Sequence, residues 1–110
     1  MTHVHNYLLS HRKRLALSQD EVAFLLGTID GTRVSRYERS TRVPELVTVL
    51  ALEIILQKPA CELFESLYRK AQKNVKTRAQ ALLHRMAMDP PTRHVLRKRQ
   101  HLATIISLES

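Results

Sequence analysis

Both ends of one short helix are marked in the segment from Ser18 to Gly27. The Ser18 hydroxyl can accept a hydrogen bond from the third helical amide while the Glu21 side chain accepts one from the Ser18 amide, an arrangement known as the capping box. Gly27 tolerates the left-handed backbone conformation in which many helices end. Apolar residues at helical spacing lie between these two ends. The segment therefore predicts a helix that begins after Ser18 and runs to Gly27.

The composition favours helices over β-structure along the whole chain. Its 110 residues include only two glycines and four prolines, and aromatic residues make up 5%. Turn-rich sandwiches and barrels contain more of these residues, so the expected fold is all-α. The length fits one modest core with one extension.

Five other helices are predicted from apolar spacing and from capping or breaking residues. They are expected over residues 7–15, over 31 or 32 to 39 with Asp30 as the N-cap, over 45–56 after Pro44, over 60–88, and from Thr92 to 106. The helix over 45–56 is apolar almost all round, which predicts that it forms the buried centre of the bundle. Cys61 is expected to be a small core residue.

Three runs of residues resemble a known family. They are the run from Leu15 to Gly27, the run Val34-Ser35-Arg36-Tyr37-Glu38-Arg39, and Arg42-Val43-Pro44. In this order, across four predicted helices, they resemble the phage-repressor and Cro-like helix-turn-helix family, whose bacterial regulators are often called xenobiotic-response-element type. The resemblance covers about residues 6–65. It implies a five-helix lambda-repressor-like DNA-binding domain over residues 1–66. Residues 67–110, beyond the resemblance, are predicted from their apolar spacing to form a helical extension.

The resemblance also implies which residues bind DNA. Thr32, Arg33 and Arg36 match positions from which the family reaches base edges, and Gln19 matches a position that contacts a phosphate. Independently of the family, Gln19, Arg39, Thr41 or Arg42 could contact phosphates and position the helix without reading sequence. The expected DNA-binding residues are Gln19, Thr32, Arg33, Ser35, Arg36, Arg39 and Arg42. Arg36 is the best candidate for base readout, because arginine can donate two parallel hydrogen bonds to guanine O6 and N7.

The resemblance also implies one ion pair, and the sequence differs from the family's common spacing at one point. Arg12 and Glu38 match a charged pair that ties the first helix to the end of the recognition helix. From Gly27 to Val34 the chain advances seven residues, where the common pattern advances six. The extra residue leaves the register of residues 31–33 open.

The predicted helix over 60–88 repeats apolar residues at spacings of three and four. This spacing permits either a seam with a second copy or packing back onto its own domain. A dimer would bring two recognition helices to half-sites about one duplex turn apart, so we expect a homodimer. The residues expected at its seam are Phe64, Tyr68, Val75, Leu82 and Met86.

The charge balance indicates a polyanionic partner, and the family resemblance implies that this partner is double-stranded DNA. The chain has 18 Lys and Arg against 10 Asp and Glu, a net charge of +8. Residues 1–59 hold a net +2 and residues 60–110 a net +6. Phosphates attract such a chain whatever the base sequence. The run Arg97-Lys98-Arg99 is expected to be a solvated face, with contact to flanking phosphates as the alternative.

No pattern of residues indicates an enzyme, a cofactor or a metal site. The histidine pairs His3 with His5 and His94 with His101 lack a cysteine or acidic ligand at a matching spacing. A single cysteine fits a reducing compartment, and no apolar run is long enough to span a bilayer. The protein is therefore expected in the cytoplasm.

Two functions fit these observations. The first is a DNA-binding transcriptional regulator, expected to act as a repressor that occludes a promoter. The alternative is a protein-interaction module, such as an antitoxin-like protein whose C-terminal helices bind a partner protein.

Overall fold

The computed structural model describes residues 6–109, and every regular element in that range is helical. The prediction of an all-α fold is therefore confirmed. The helices are α1 (Leu8–Arg14), α2 (Gln19–Leu26), α3 (Thr32–Glu38), α4 (Leu46–Leu56), α5 (Ala60–Leu63), α6 (Glu65–Arg85) and α7 (Arg93–Ile106), with a 3-10 turn over Met86–Met88. None of these described helices combines the length and the apolar character that crossing a membrane requires.

Two compact units divide between Tyr68 and Arg69. In the first unit, α2 packs against α3 and α4, α1 packs against α3, and α5 packs against α4. The entry to α1 is also held to the end of α5, because the Tyr7 amide donates to the Leu63 carbonyl at 2.9 Å. The inward side chains of these helices form one apolar core. Its buried members are Leu8, Val22, Ala23, Val34, Tyr37, Leu52, Leu56, Leu63 and Phe64.

The second unit consists of α6 beyond the boundary, the 3-10 turn and α7. Thr92 caps α7 as predicted, since its hydroxyl accepts the Val95 amide at 3.3 Å. Arg99 Nη2 donates to the Met86 carbonyl at 2.7 Å, which joins α7 to the 3-10 turn. A small apolar cluster fills the space between α6 and α7. Its buried members are Ala79, Met86 and Leu102.

The prediction of one uninterrupted helix over 60–88 is wrong. At Phe64 the backbone leaves the helical conformation, with φ −120° and ψ 48°, and this residue separates α5 from α6. The Phe64 ring belongs to the core of the first unit, and the preceding Leu63 carbonyl bonds the Tyr7 amide. Tertiary packing thus overrides the helical spacing here. The same short turn leaves Cys61 exposed, against its predicted core position, because Leu63 points inward.

The prediction that the fourth helix is the buried centre of the bundle is also wrong. Leu52 and Leu56 are each 2% exposed, but other apolar side chains of α4 face solvent. In the first unit α4 packs mainly against α2 and α5, and these two helices cover only one side of it. The exposed α4 face consists of Leu46, Val47, Leu50 and Ile54.

Candidate nucleic-acid interface

α2 begins and ends where the sequence predicts. The Ser18 hydroxyl accepts the Glu21 amide at 3.0 Å, and the Glu21 carboxylate accepts the Ser18 amide at 2.8 Å. Gly27 ends the helix in the left-handed conformation, with φ 80°. Val22 and Ala23 are each 1% exposed, so one side of the helix is anchored in the core. α2 therefore gives α3 a fixed support.

Gly31 brings the start of α3 against the first turn of α2. Its amide donates to Asp20 Oδ1 at 2.9 Å. A Cβ atom at Gly31 would lie 2.8 Å from Gln19 Cβ and 3.1 Å from the Gln19 carbonyl carbon, so the contact leaves no room for a side chain. In the turn before it, the Thr28 amide and hydroxyl both bond the Ala23 carbonyl, at 2.9 and 3.1 Å. Hydrogen bonds at both ends thus fix the turn between Gly27 and α3 to α2.

The prediction of Asp30 as the N-cap of α3 is wrong, because Gly31 occupies that position, but the Asp30 carboxylate still bonds the first residue of the helix. Its Oδ1 accepts the Thr32 amide at 2.9 Å. Hydrogen bonds from the Thr32 amide and then from the Thr32 hydroxyl lower the pKa of Asp30, and the nearby Arg36 cation adds a smaller effect in the same direction. Asp30 is therefore ionised at neutral pH and places a negative charge at the N-terminal end of α3, where the helix dipole favours it.

α3 turns its apolar side inward and its arginines outward. Val34 and Tyr37, three residues apart, are 3% and 4% exposed and pack in the core. Thr32, Arg33 and Arg36 are exposed. The helix is therefore held by two buried side chains while it presents its polar side chains to solvent.

An open cleft beside α3 collects residues from the preceding turn, from α3 and from the loop that follows. Arg33, Arg36 and Arg42 bring three cations to it. Ile29, which the sequence analysis did not single out, also lines the cleft, and its side chain is fully exposed. Its place in the turn with the extra residue is the signal that could have identified it. The remaining lining residues are Gly27, Thr28, Asp30 and Thr32.

The other predicted DNA-binding residues lie outside this cleft. Ser35 is half-buried, and Arg39 is exposed with its Nε donating to the Ser35 carbonyl at 3.4 Å. Gln19 is half-buried, and its Nε2 donates to Glu38 Oε1 at 3.0 Å. The same amide nitrogen carries a second hydrogen. The DNA contacts assigned to Gln19, Ser35 and Arg39 stay predictions.

A shielded ion pair ties α1 to the end of α3. Arg12 Nε lies 2.5 Å from Glu38 Oε2, and Arg12 Nη2 lies 3.1 Å from Glu38 Oε1. Arg12 Nη1 also donates to the Leu17 carbonyl at 2.9 Å. Together with the bond from Gln19, the Glu38 carboxylate accepts three hydrogen bonds. The buried Arg12 cation and the buried Glu38 carboxylate are therefore both hydrogen-bonded and paired with an opposite charge, which offsets the cost of burying them.

The five residues predicted at a dimer seam lie in different surroundings. Phe64 and Met86 are 8% and 7% exposed and belong to the apolar cores of the first and second unit. Tyr68, Val75 and Leu82 are 52%, 51% and 42% exposed. Of the five residues, these three are exposed enough to contact a second copy of the chain.

One of the two histidine pairs in the sequence lies within the described residues. His94 and His101 are exposed on α7, while His3 and His5 lie outside the described residues. Across residues 6–109, no three side chains of His, Cys, Asp or Glu are grouped closely enough to hold a metal ion.

Comparison with known proteins identifies one family. A family model described as helix-turn-helix, of the Cro/C1 type, matches residues 8–63, from the first residue of α1 to the last residue of α5. The resemblance noted in the sequence is thereby confirmed. No curated protein and no solved structure matches the chain.

Proposed function

Because this chain belongs to the Cro/C1-type helix-turn-helix family of DNA-binding regulators, we propose that it is a sequence-specific transcriptional regulator that reads a major groove with α3. The main support is the orientation of α3. Val34 and Tyr37 are buried, while Arg33 and Arg36 are exposed in one cleft. A helix held along one side and open along the other can enter a major groove, which is wide enough to admit it.

Arg36 is the main base-reading residue in this proposal. Its guanidinium can bond guanine O6 and N7 together, and such a pair contributes about 1–3 kcal/mol of discrimination against the wrong base. Arg33 and Thr32 reach neighbouring base edges from the preceding turn of α3. Contacts to phosphates set the position of the helix without reading sequence. The residues proposed for these contacts are Gln19, Ser35, Arg39 and Arg42.

The protein acts as a homodimer in this proposal and represses by occluding a promoter. Two half-sites about one duplex turn apart bring a second α3 to the DNA and increase the buried surface. Exposed apolar side chains on α6 support a contact with a second copy. They are Tyr68, Val75 and Leu82.

Selection from a random duplex library, run at two salt concentrations, tests the proposed function. The full chain should enrich one operator sequence at both salts. Arg36→Ala should lose this preference while keeping its helical content, because Arg36 is exposed. The matched control is Lys13→Ala, which removes an exposed cation from α1 and should keep the preference. An Arg36→Ala protein that enriches the same operator as the wild type would contradict the assignment.

A second candidate function is a protein-interaction module of the antitoxin kind. The exposed α4 face favours it, because its four apolar side chains are between 49% and 75% exposed in the single chain. Monomeric proteins rarely leave large contiguous apolar patches uncovered. Sedimentation of the purified chain separates the two candidates. A homodimer supports the first, and a chain that stays monomeric until a partner protein covers α4 supports the second.

A further inference from the structure

The two units differ sharply in charge. Residues 1–68 contain eight Lys and Arg and eight Asp and Glu, so the unit that includes α3 has no net charge. Residues 69–110 contain ten Lys and Arg and two Asp and Glu. The whole net charge of +8 therefore belongs to the second unit, outside the part of the chain that the helix-turn-helix family model matches.

The fold of the second unit leaves eight of these ten cations exposed, while Lys76 and Arg99 are half-buried. The apolar sides of α6 and α7 meet in the cluster around Leu102. On α7, Arg93 and Arg97 lie one helical turn apart and are exposed. On α6, Lys70 and Lys73 are exposed in the same way. We call these four side chains the outer cations.

Carboxylates do not neutralise the outer cations. Within residues 69–109 the acidic side chains are Asp89 and Glu109, and no ion pair in the described part of the chain involves an outer cation. Ten cations on a unit of this size repel one another, which destabilises the compact state. Binding of a polyanion removes that repulsion.

We propose that the outer cations bind the phosphate backbone of duplex DNA, through contacts separate from those made by α3. The sequence-independent part of DNA affinity comes from cations that replace the counterions of phosphates. The first unit is neutral as a whole, so the second unit is the main source of such attraction. A membrane surface fits less well, because the large apolar residues of α7 other than Leu96 pack in the cluster around Leu102 and leave little apolar surface for lipid. The inference rests on the proposed function only in choosing duplex DNA as the polyanion.

The salt dependence of binding by the full chain tests this inference. The logarithm of the affinity falls with the logarithm of the salt concentration, with a slope of about 0.9 for each neutralised phosphate. Arg93→Gln/Arg97→Gln removes two contacts and should make the slope shallower by about 1.8 per chain. Lys70→Gln/Lys73→Gln should have a similar effect. For each variant, the change in slope should be the same on the selected operator as on a scrambled duplex, because the two duplexes have the same phosphates.

The matched control removes the same charge from the first unit. Lys13→Gln/Lys58→Gln should leave the slope near the wild-type value, and circular dichroism should give the same helical content for all three variants. An unchanged slope in both second-unit variants overturns the inference and leaves an acidic protein as the ligand to test. A slope that becomes equally shallow in the control also overturns the inference, because the net charge of the chain and not the location of the cations would then be responsible. Failure of the proposed function is seen separately, as retained operator preference in Arg36→Ala.

Discussion

Arg12 on α1 and Glu38 on α3 are 26 residues apart in the chain, yet two hydrogen bonds of 2.5 and 3.1 Å join their side chains. These side chains are 11% and 4% exposed. The pair therefore fixes the last turn of α3 to the first helix. The direction in which α3 presents Arg36 depends on this link as well as on apolar packing.

Glu38→Gln should destabilise the protein strongly. The change keeps the size of the side chain but leaves the Arg12 cation buried without a counter-charge, and breaking a buried pair from one side costs about 3–5 kcal/mol. We expect the free energy of unfolding, measured in urea by circular dichroism, to fall by about 3 kcal/mol. Arg12→Met/Glu38→Leu removes both charges and should recover most of that loss. A Glu38→Gln protein as stable as the wild type would show that the ion pair has little structural role.

Gly31→Ala should destabilise the contact between α2 and α3. Its methyl group would lie 2.8 Å from Gln19 Cβ and 3.1 Å from the Gln19 carbonyl carbon, and overpacking of this kind costs about 1–3 kcal/mol. Asp20→Ala should not rescue the variant, because the Gln19 atoms remain in place. Urea unfolding measures the loss, and operator affinity measures the displacement of α3.

Gly27→Ala is the matched comparison for Gly31→Ala. A Cβ at Gly27 meets no atom within 4 Å, but its φ of +80° disfavours any residue with a side chain. We expect a loss of about 1 kcal/mol in unfolding free energy with operator affinity retained. Equal effects of the two alanines on operator affinity would contradict the role given to the Gly31 contact.

Asp30 should make stability depend on pH. Because hydrogen bonds from Thr32 lower the pKa of Asp30 in the folded protein, its ionised form stabilises the fold above the usual carboxyl value of 3.8. This contribution is lost as the pH falls through the lower, folded pKa. Asp30→Ala should therefore be less stable than the wild type at neutral pH, and the difference should narrow in acid. Urea unfolding over a pH series measures this difference, and a difference that stays constant into acid would contradict a stabilising bond from Thr32 to the ionised Asp30 carboxylate.

Val75→Glu/Leu82→Glu should prevent dimer formation if the seam lies on α6. Both side chains are about half-exposed, and two carboxylates facing their copies across a two-fold axis repel. The matched control is Asn74→Glu/Ala81→Glu, which adds the same charge at the same spacing on an adjacent, exposed face of α6. Sedimentation across a concentration range should give a dimer for the wild type and the control, and a monomer for the first variant. A wild-type chain that is already monomeric would exclude the dimer.

The sequence by itself determined the elements whose signals are local. The capping box of Ser18 and Glu21 and the stop at Gly27 act within one turn, so α2 was predicted at both ends. The inward side of α3 follows from the helical spacing of Val34 and Tyr37. Each of these features depends on residues a few positions apart, so the order of residues in the sequence is enough to predict it.

The tertiary structure decided which apolar surfaces are covered. Helical periodicity identifies an apolar side, but it does not say whether a neighbour packs there, and so the exposed α4 face was not predicted. The break at Phe64 likewise depends on a core that lies elsewhere in the chain. The close approach of Gly31 to Gln19 requires both helices to be in place. Each of these outcomes depends on contacts between residues that only folding brings together.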